Sequence, residues 1–174
     1  TVDDATAIAK IFINTNLAAC GGVIANAIVT RFYSGKTDVI LMLNGALGGL
    51  VAITAETLAP TPFTAIIIGA IGGVIVVVGT KLLFKLKIDD VVGAIPVHFF
   101  AGIWGTLAVP ITNTDTNFAS QLLGVISVTG FVFVVSFIIW KVLAATVGIR
   151  VSKEAETKGT DIAEIGVVAY SIRD

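Results

Sequence analysis

Five apolar stretches, each near or beyond the ~20 residues that a helix needs to cross a bilayer, leave this chain few ways to fold. They run over about 7–30, 38–58, 63–84, 91–111 and 118–147, and the last is long enough to require tilt or extension beyond the hydrocarbon. Short polar segments separate them: RFYSGKTD (31–38), AETLAPTP (55–62), KLKIDD (85–90) and TNTDTN (112–117). Pro60, Pro62 and the Asn/Thr/Asp cluster are breaks. Nothing alternates with period two for long enough to read as an outer-membrane barrel strand. Composition points the same way. Hydrophobic residues are 56% of the 174 and charged ones 13%, half the soluble average of about 25%. The sequence predicts an all-α integral membrane protein, a polytopic helix bundle over 1–149 followed by a polar tail over 150–174.

Several classes are excluded early. A net charge of −1 and the lack of any basic run give no nucleic-acid face. One histidine and one cysteine cannot build a zinc site from Cys and His alone, and Cys20 has no internal partner for a disulfide. No metal or cofactor is expected. No phosphate-binding glycine loop, nucleophile elbow or carboxylate pair suggests an enzyme. Asp3 and Asp4 stand where a secretory signal would be positive. This acidic start runs straight into a span and is expected of part of something longer.

The basic residues orient the chain. Arg31 and Lys36 lie in the first connection, Lys81, Lys85 and Lys87 around the third, and Lys141, Arg150, Lys153, Lys158 and Arg173 at the end of the last span and in the tail. The second and fourth connections carry only Glu56 and Asp115. The positive-inside rule puts the first and third connections and the C-terminus in the cytoplasm of a multi-pass protein of the cell membrane. Lys10, near the outer end of the first span, is the one exception.

Few polar residues lie at membrane depth. Gly45–Gly49 and Gly69–Gly73 have the GxxxG spacing that lets helix backbones approach closely in lipid. His98, the only histidine, falls inside the fourth span, and an ionisable group there marks a pathway or cavity more often than not. The alternative is a neutral imidazole bonded to a backbone carbonyl and serving packing only. Pro96 cannot donate to the carbonyl of Val92, which predicts a kink and a freed acceptor near the histidine. Asp89 and Asp90 are placed to cap the same helix. Asn44 must hydrogen-bond something at its depth, an interhelical bond being favoured over a substrate contact, and Thr54 can bond back to its own helix.

The segment IDDVVGAIPVHFFAGIWGTLAV resembles the late histidine-bearing helix of the Amt/Mep/Rh ammonium transporter family. LNGALGGLVAIT, a Pro-containing loop and AIIIGAIGGVIV resemble the two helices before it, AKIFINTNLAA the one before those, and GTDIAEIGVVAY the cytoplasmic tail. The resemblance implies the second part of an eleven-helix inverted-repeat fold, its last five helices and tail, assembled as a homotrimer with one pore per subunit. It implies that the missing helices carry the outer recruitment site, the stacked phenylalanine gate and the first of two facing pore histidines. His98 would be the second of these histidines, and Ala94 a small pore-wall residue. Neutral ammonia, derived from ammonium, would pass such a pore, in which burial disfavours a charged ring.

Three positions depart from the family pattern. Gly93 stands where an aspartate is frequent, and Lys10 where an apolar residue is usual. Ile165-Gly166-Val167 replaces a His-Gly-Glu, which counts against docking of a PII-type regulator. The Asp-Asp-Val-Val-Gly-Ala-Ile-Pro-Val-His wording also looks like a branch with receptor-type members fused to signalling domains, and no such domain follows within these residues. The expectation is an ammonium transporter or channel subunit. An ammonium sensor and a membrane scaffold without passage are the rivals.

Overall fold

The structure, a computed structural model, describes residues 1–169, which contain helices, turns and no strand. They divide into two compact units, one ending at Ile126 and the other starting at Ser127.

The helices start and stop on local signals. α1 (Val2–Ser34) opens on a capping box in which the Thr1 hydroxyl accepts from the Asp4 amide and the Asp4 carboxylate accepts from the Thr1 amine; it closes at Gly35, φ 71°. α2 (Val39–Ile53) is capped by Asp38, whose carboxylate accepts from the Leu41 amide at 3.0 Å. α3 (Pro62–Leu86) has Thr61 as its cap and Pro62 in the first turn, where a missing amide hydrogen costs nothing. A π-helical segment, Ile95–Phe100, leads into α4 (Ala101–Thr112). α5 (Phe118–Thr146) runs through the boundary between the units and buries none of its residues. α6 (Lys153–Lys158) and a π-helical turn (Asp161–Ile165) follow.

Four stretches are long and apolar enough to cross a membrane: Val2–Ser34, Pro62–Leu86, Ile95–Thr112 and Phe118–Thr146. α2 has 15 residues, or about 22 Å at 1.5 Å per residue. The apolar run around it continues to residue 58, but the backbone leaves the helix after Ile53. A side chain far away in sequence braces the loop that follows. Asn14 of α1, fully buried, donates to the carbonyls of Thr57 (2.8 Å) and Pro60 (2.9 Å) and holds the loop folded across the end of α2.

Glycine makes the core. Ala18 and Gly22 of α1 meet both GxxxG pairs. A Cβ added at Gly49 or Gly69 would strike the Ala18 carbonyl, and one at Gly73 the Gly22 carbonyl. The other faces of α2 and α3 meet at Gly48 and Gly72, where a Cβ on Gly72 would stand 2.6 Å from the Gly48 oxygen. Lipid tails are as apolar as leucine, so close backbone contact, rather than exclusion from water, must hold these helices together. Ala52 and Ile53 of α2, Ala65 and Ile68 of α3 and Ala108 of α4 are buried beside Ala18, with Trp104 against them. The Trp104 indole donates to the Ile68 carbonyl at 3.0 Å, tying α4 to α3.

Contacts also sort the connections of the first unit by end. Lys81 Nζ lies over the Tyr33 ring, and Asn44 bonds to Val92, so the connections after α1 and α3 share one end. Glu56 accepts from Asn113 Nδ2 at 3.0 Å, so those after α2 and α4 share the other.

In the second unit, Ser152 caps α6 and Arg150 pairs with Glu156 at 2.5 Å. The Asp161 carboxylate accepts from the Ala169 amide at 2.9 Å, which with a second amide bond from Ile162 holds its carboxyl below the usual range. Arg173 lies outside the described residues.

Candidate functional site

The π-helical segment carrying His98 is built by the turn before it. After α3 the chain passes Lys87 (φ 56°) and reaches Asp90, whose two carboxylate oxygens accept from the amides of Ala94 and Ile95, each at 2.9 Å. Two of the unpaired donors at the helix start are thereby satisfied, and negative charge sits where the helix dipole favours it. Gly93, between them, has φ 74°, a conformation that side chains with a Cβ rarely adopt.

The expected proline kink needs correction. The helix begins at Ile95, so Pro96 occupies its first turn and interrupts no established ladder. Nor is the Val92 carbonyl available to the imidazole or to a water. It accepts from Asn44 Nδ2 of α2 at 2.9 Å. Asn44 therefore makes an interhelical bond, to the turn that precedes the histidine. Thr54 is spent locally, its hydroxyl donating to the Val51 carbonyl at 2.7 Å.

The helix has two faces. Pro96, Val97, Ala101, Gly105, Ala108 and Val109 are buried. Ala94 and His98 are exposed on this chain. The imidazole makes no hydrogen bond among the described residues. The structure thus brings Asn44, Asp90 and Ala94 to the turn that leads to His98, and leaves Thr54 at the far end of α2. Lys10 is exposed on α1, with its charge felt at Glu56.

Other polar groups were not singled out from the sequence. Asn14 and Asn26 are fully buried within α1, Asn26 donating to the Gly73 carbonyl at 3.4 Å. The signal that flagged Asn44, an amide inside an apolar stretch, would have found both. Glu56 accepts from the amides of Leu58 (3.0 Å) and Ala59 (3.1 Å) as well as from Asn113. Burial pushes its carboxyl up, but these bonds and the charge of Lys10 outweigh that and hold it below the usual range. No group of three or more His, Cys, Asp or Glu side chains could hold a metal among the described residues.

Membrane-length helices packed through glycine, with a lone imidazole on the exposed face of one of them, define a multi-pass α-helical membrane protein. Residues 1–170 match the Ammonium Transporter Family, and the chain belongs to that family, whose members are transporters rather than enzymes. It is 39% identical to the ammonium transporter Amt2 of Archaeoglobus fulgidus, the match covering 90% of this chain and 38% of that protein. With the ammonium transporter of Bacillus subtilis the identity is 33%, over 91% of this chain and 43% of the relative. Among solved structures, a sensor Amt protein superposes with a TM-score of 0.83 at 31% identity, over 90% of this chain and 42% of that one. Candida albicans Mep2 gives 0.76 at 27% identity, over 90% and 39%. The chain spans less than half the length of each of these proteins.

Proposed function

We propose that this chain forms one wall of the pore of an ammonium transporter, with His98 and Ala94 facing the conduction path. One observation carries the reading. The only imidazole is displayed, without a partner among the described residues, on a helix whose opposite face is buried against the rest of the bundle. A neutral ring there offers one donor and one acceptor to a small polar solute crossing an otherwise apolar wall. Such a wall rejects hydrated ions, because desolvating a charge costs several kcal/mol or more. Neutral ammonia passes far more easily. The remaining wall, including a facing histidine, comes from residues beyond this chain, and the assembly is a homotrimer with its C-terminus in the cytoplasm. The five helices α1 to α5, the fourth joined to its π-helical segment, are its five crossings, α2 being completed by the loop that Asn14 holds. With Ile165-Gly166-Val167 in the tail, no PII-type regulator is assigned.

The test is His98→Ala in the full-length protein reconstituted into liposomes. Ammonium-driven current should fall, or its discrimination against potassium weaken, by about tenfold, the rate equivalent of one net hydrogen bond. Unchanged current and selectivity would return His98 to a packing role. The sensor reading is favoured by one observation, the likeness to a sensor Amt protein. Ammonium binding without current in the same liposomes would select it.

A further inference from the structure

We infer that Asn44 is a positioning residue for His98, acting through the Val92 carbonyl, and that Asn44 and Gly93 form a matched pair that sets where the histidine helix begins. The inference rests on the pore reading of His98.

The turn from Asp90 to Ile95 is held from two sides. From within, Asp90 accepts from the amides of Ala94 and Ile95. From outside, among the described residues, the only hydrogen bond to it from another helix is Asn44 Nδ2 to the Val92 oxygen. Val92 lies before the helix that begins at Ile95, so its carbonyl has no partner in that helix's ladder, and α2 supplies the donor through Asn44.

Gly93 fits the same arrangement twice. Its φ of 74° suits glycine, and a Cβ there would stand 2.7 Å from Asn44 Nδ2. No other heavy atom comes as close: the next is Asn44 Cγ at 3.7 Å. Asn44 is thus the group that both anchors Val92 and closes the space beside Gly93. His98 follows five residues later on a π-helical turn, whose wider winding depends on where the helix starts. Shifting that start by one residue would rotate the imidazole by about 100°, away from the path that Ala94 shares.

A double-mutant cycle tests this in the full-length protein in liposomes, read as ammonium current and as selectivity over potassium. Asn44→Ala should weaken selectivity in the same direction as His98→Ala. Once His98 is alanine, adding Asn44→Ala should change selectivity by less than about twofold, because two residues acting through one side chain are not additive. Asn44→Gln, which keeps the donor, should recover part of the loss. If the two effects multiply, Asn44 acts on its own and the inference fails while the role of His98 stands. If His98→Ala alone changes nothing, both fail. Should Asn44→Ala not fold, Gly93→Ala serves instead: it should reproduce the selectivity loss with His98 present and add nothing without it.

Discussion

Glu56 shows how one carboxylate can organise the end of a helix pair. Its oxygens accept from two amides of its own loop and from Asn113 beyond α4, which ties the loop after α2 to the connection after α4. These bonds favour the ionised form and outweigh the burial that opposes it. The sign of the pH effect follows. A carboxyl whose folded pKa is depressed contributes stability that is fully present above its ordinary value of 4.5 and is lost as pH falls through the lower folded pKa. Glu56→Gln should therefore be less stable than wild type at neutral pH, with the gap closing on acidification below that value. Thermal unfolding in detergent across this range measures it, and a gap independent of pH would mean that shape, rather than charge, holds the loop. His98 differs in kind. No bond within the described residues fixes its ring, so on the proposed reading its orientation is inherited from the backbone that Asn44, Asp90 and Gly93 hold.

The three helices α1, α2 and α3 depend on what their glycines lack. Gly22 sits against the backbone of Gly45 and Gly49, and Gly69 against that of Ala18, so a side chain at either position meets backbone that has no flexible end to move aside. Gly22→Val or Gly69→Val should destabilise the bundle by at least the 1–3 kcal/mol typical of overpacking. Gly102→Ala, whose Cβ would meet only Val51 at an ordinary 3.7 Å, is the control and should be near neutral. Monodisperse elution on heating separates the two outcomes, and equal tolerance at both sites would remove the close packing from the account. Each of the five apolar stretches contains a helix, because hydropathy over some 20 residues is a local property that the sequence carries directly. The GxxxG pairs were readable for the same reason, though not their partner: that both turn to Ala18 and Gly22 depends on how three helices are arranged. The break after α2 was marked by the polar segment from Ala55 and by Pro60, but the group that braces its loop was not readable, since Asn14 is 43 residues from Thr57. At the candidate site, Asp90 as a cap followed from its place before a helix. The partner of the Val92 carbonyl did not, since Asn44 is 48 residues away and nothing local couples them.

Charge is divided unequally between the two ends of the first unit. The end shared by the connections after α1 and α3 holds Arg31, Lys36, Lys85 and Lys87, with Lys81 against Tyr33. The opposite end holds Glu56 and Asp115, with Lys10 near it. Placing a Lys or Arg at the centre of a bilayer costs about 2.5–3.5 kcal/mol on insertion scales, and the topology proposed above keeps these residues in the cytoplasm under the positive-inside rule. α5 starts after the acidic end, at Phe118, and is apolar through Thr146. The proposed topology puts the residues from Arg150 in the cytoplasm, in accord with Arg150, Lys153 and Lys158 under the same rule. Trypsin has targets at all three. Added to sealed right-side-out vesicles containing the full-length protein, it should leave this segment intact. In inverted vesicles it should cut there, between the end of α5 and the turn that begins at Asp161. Cutting in right-side-out vesicles would reverse the proposed topology.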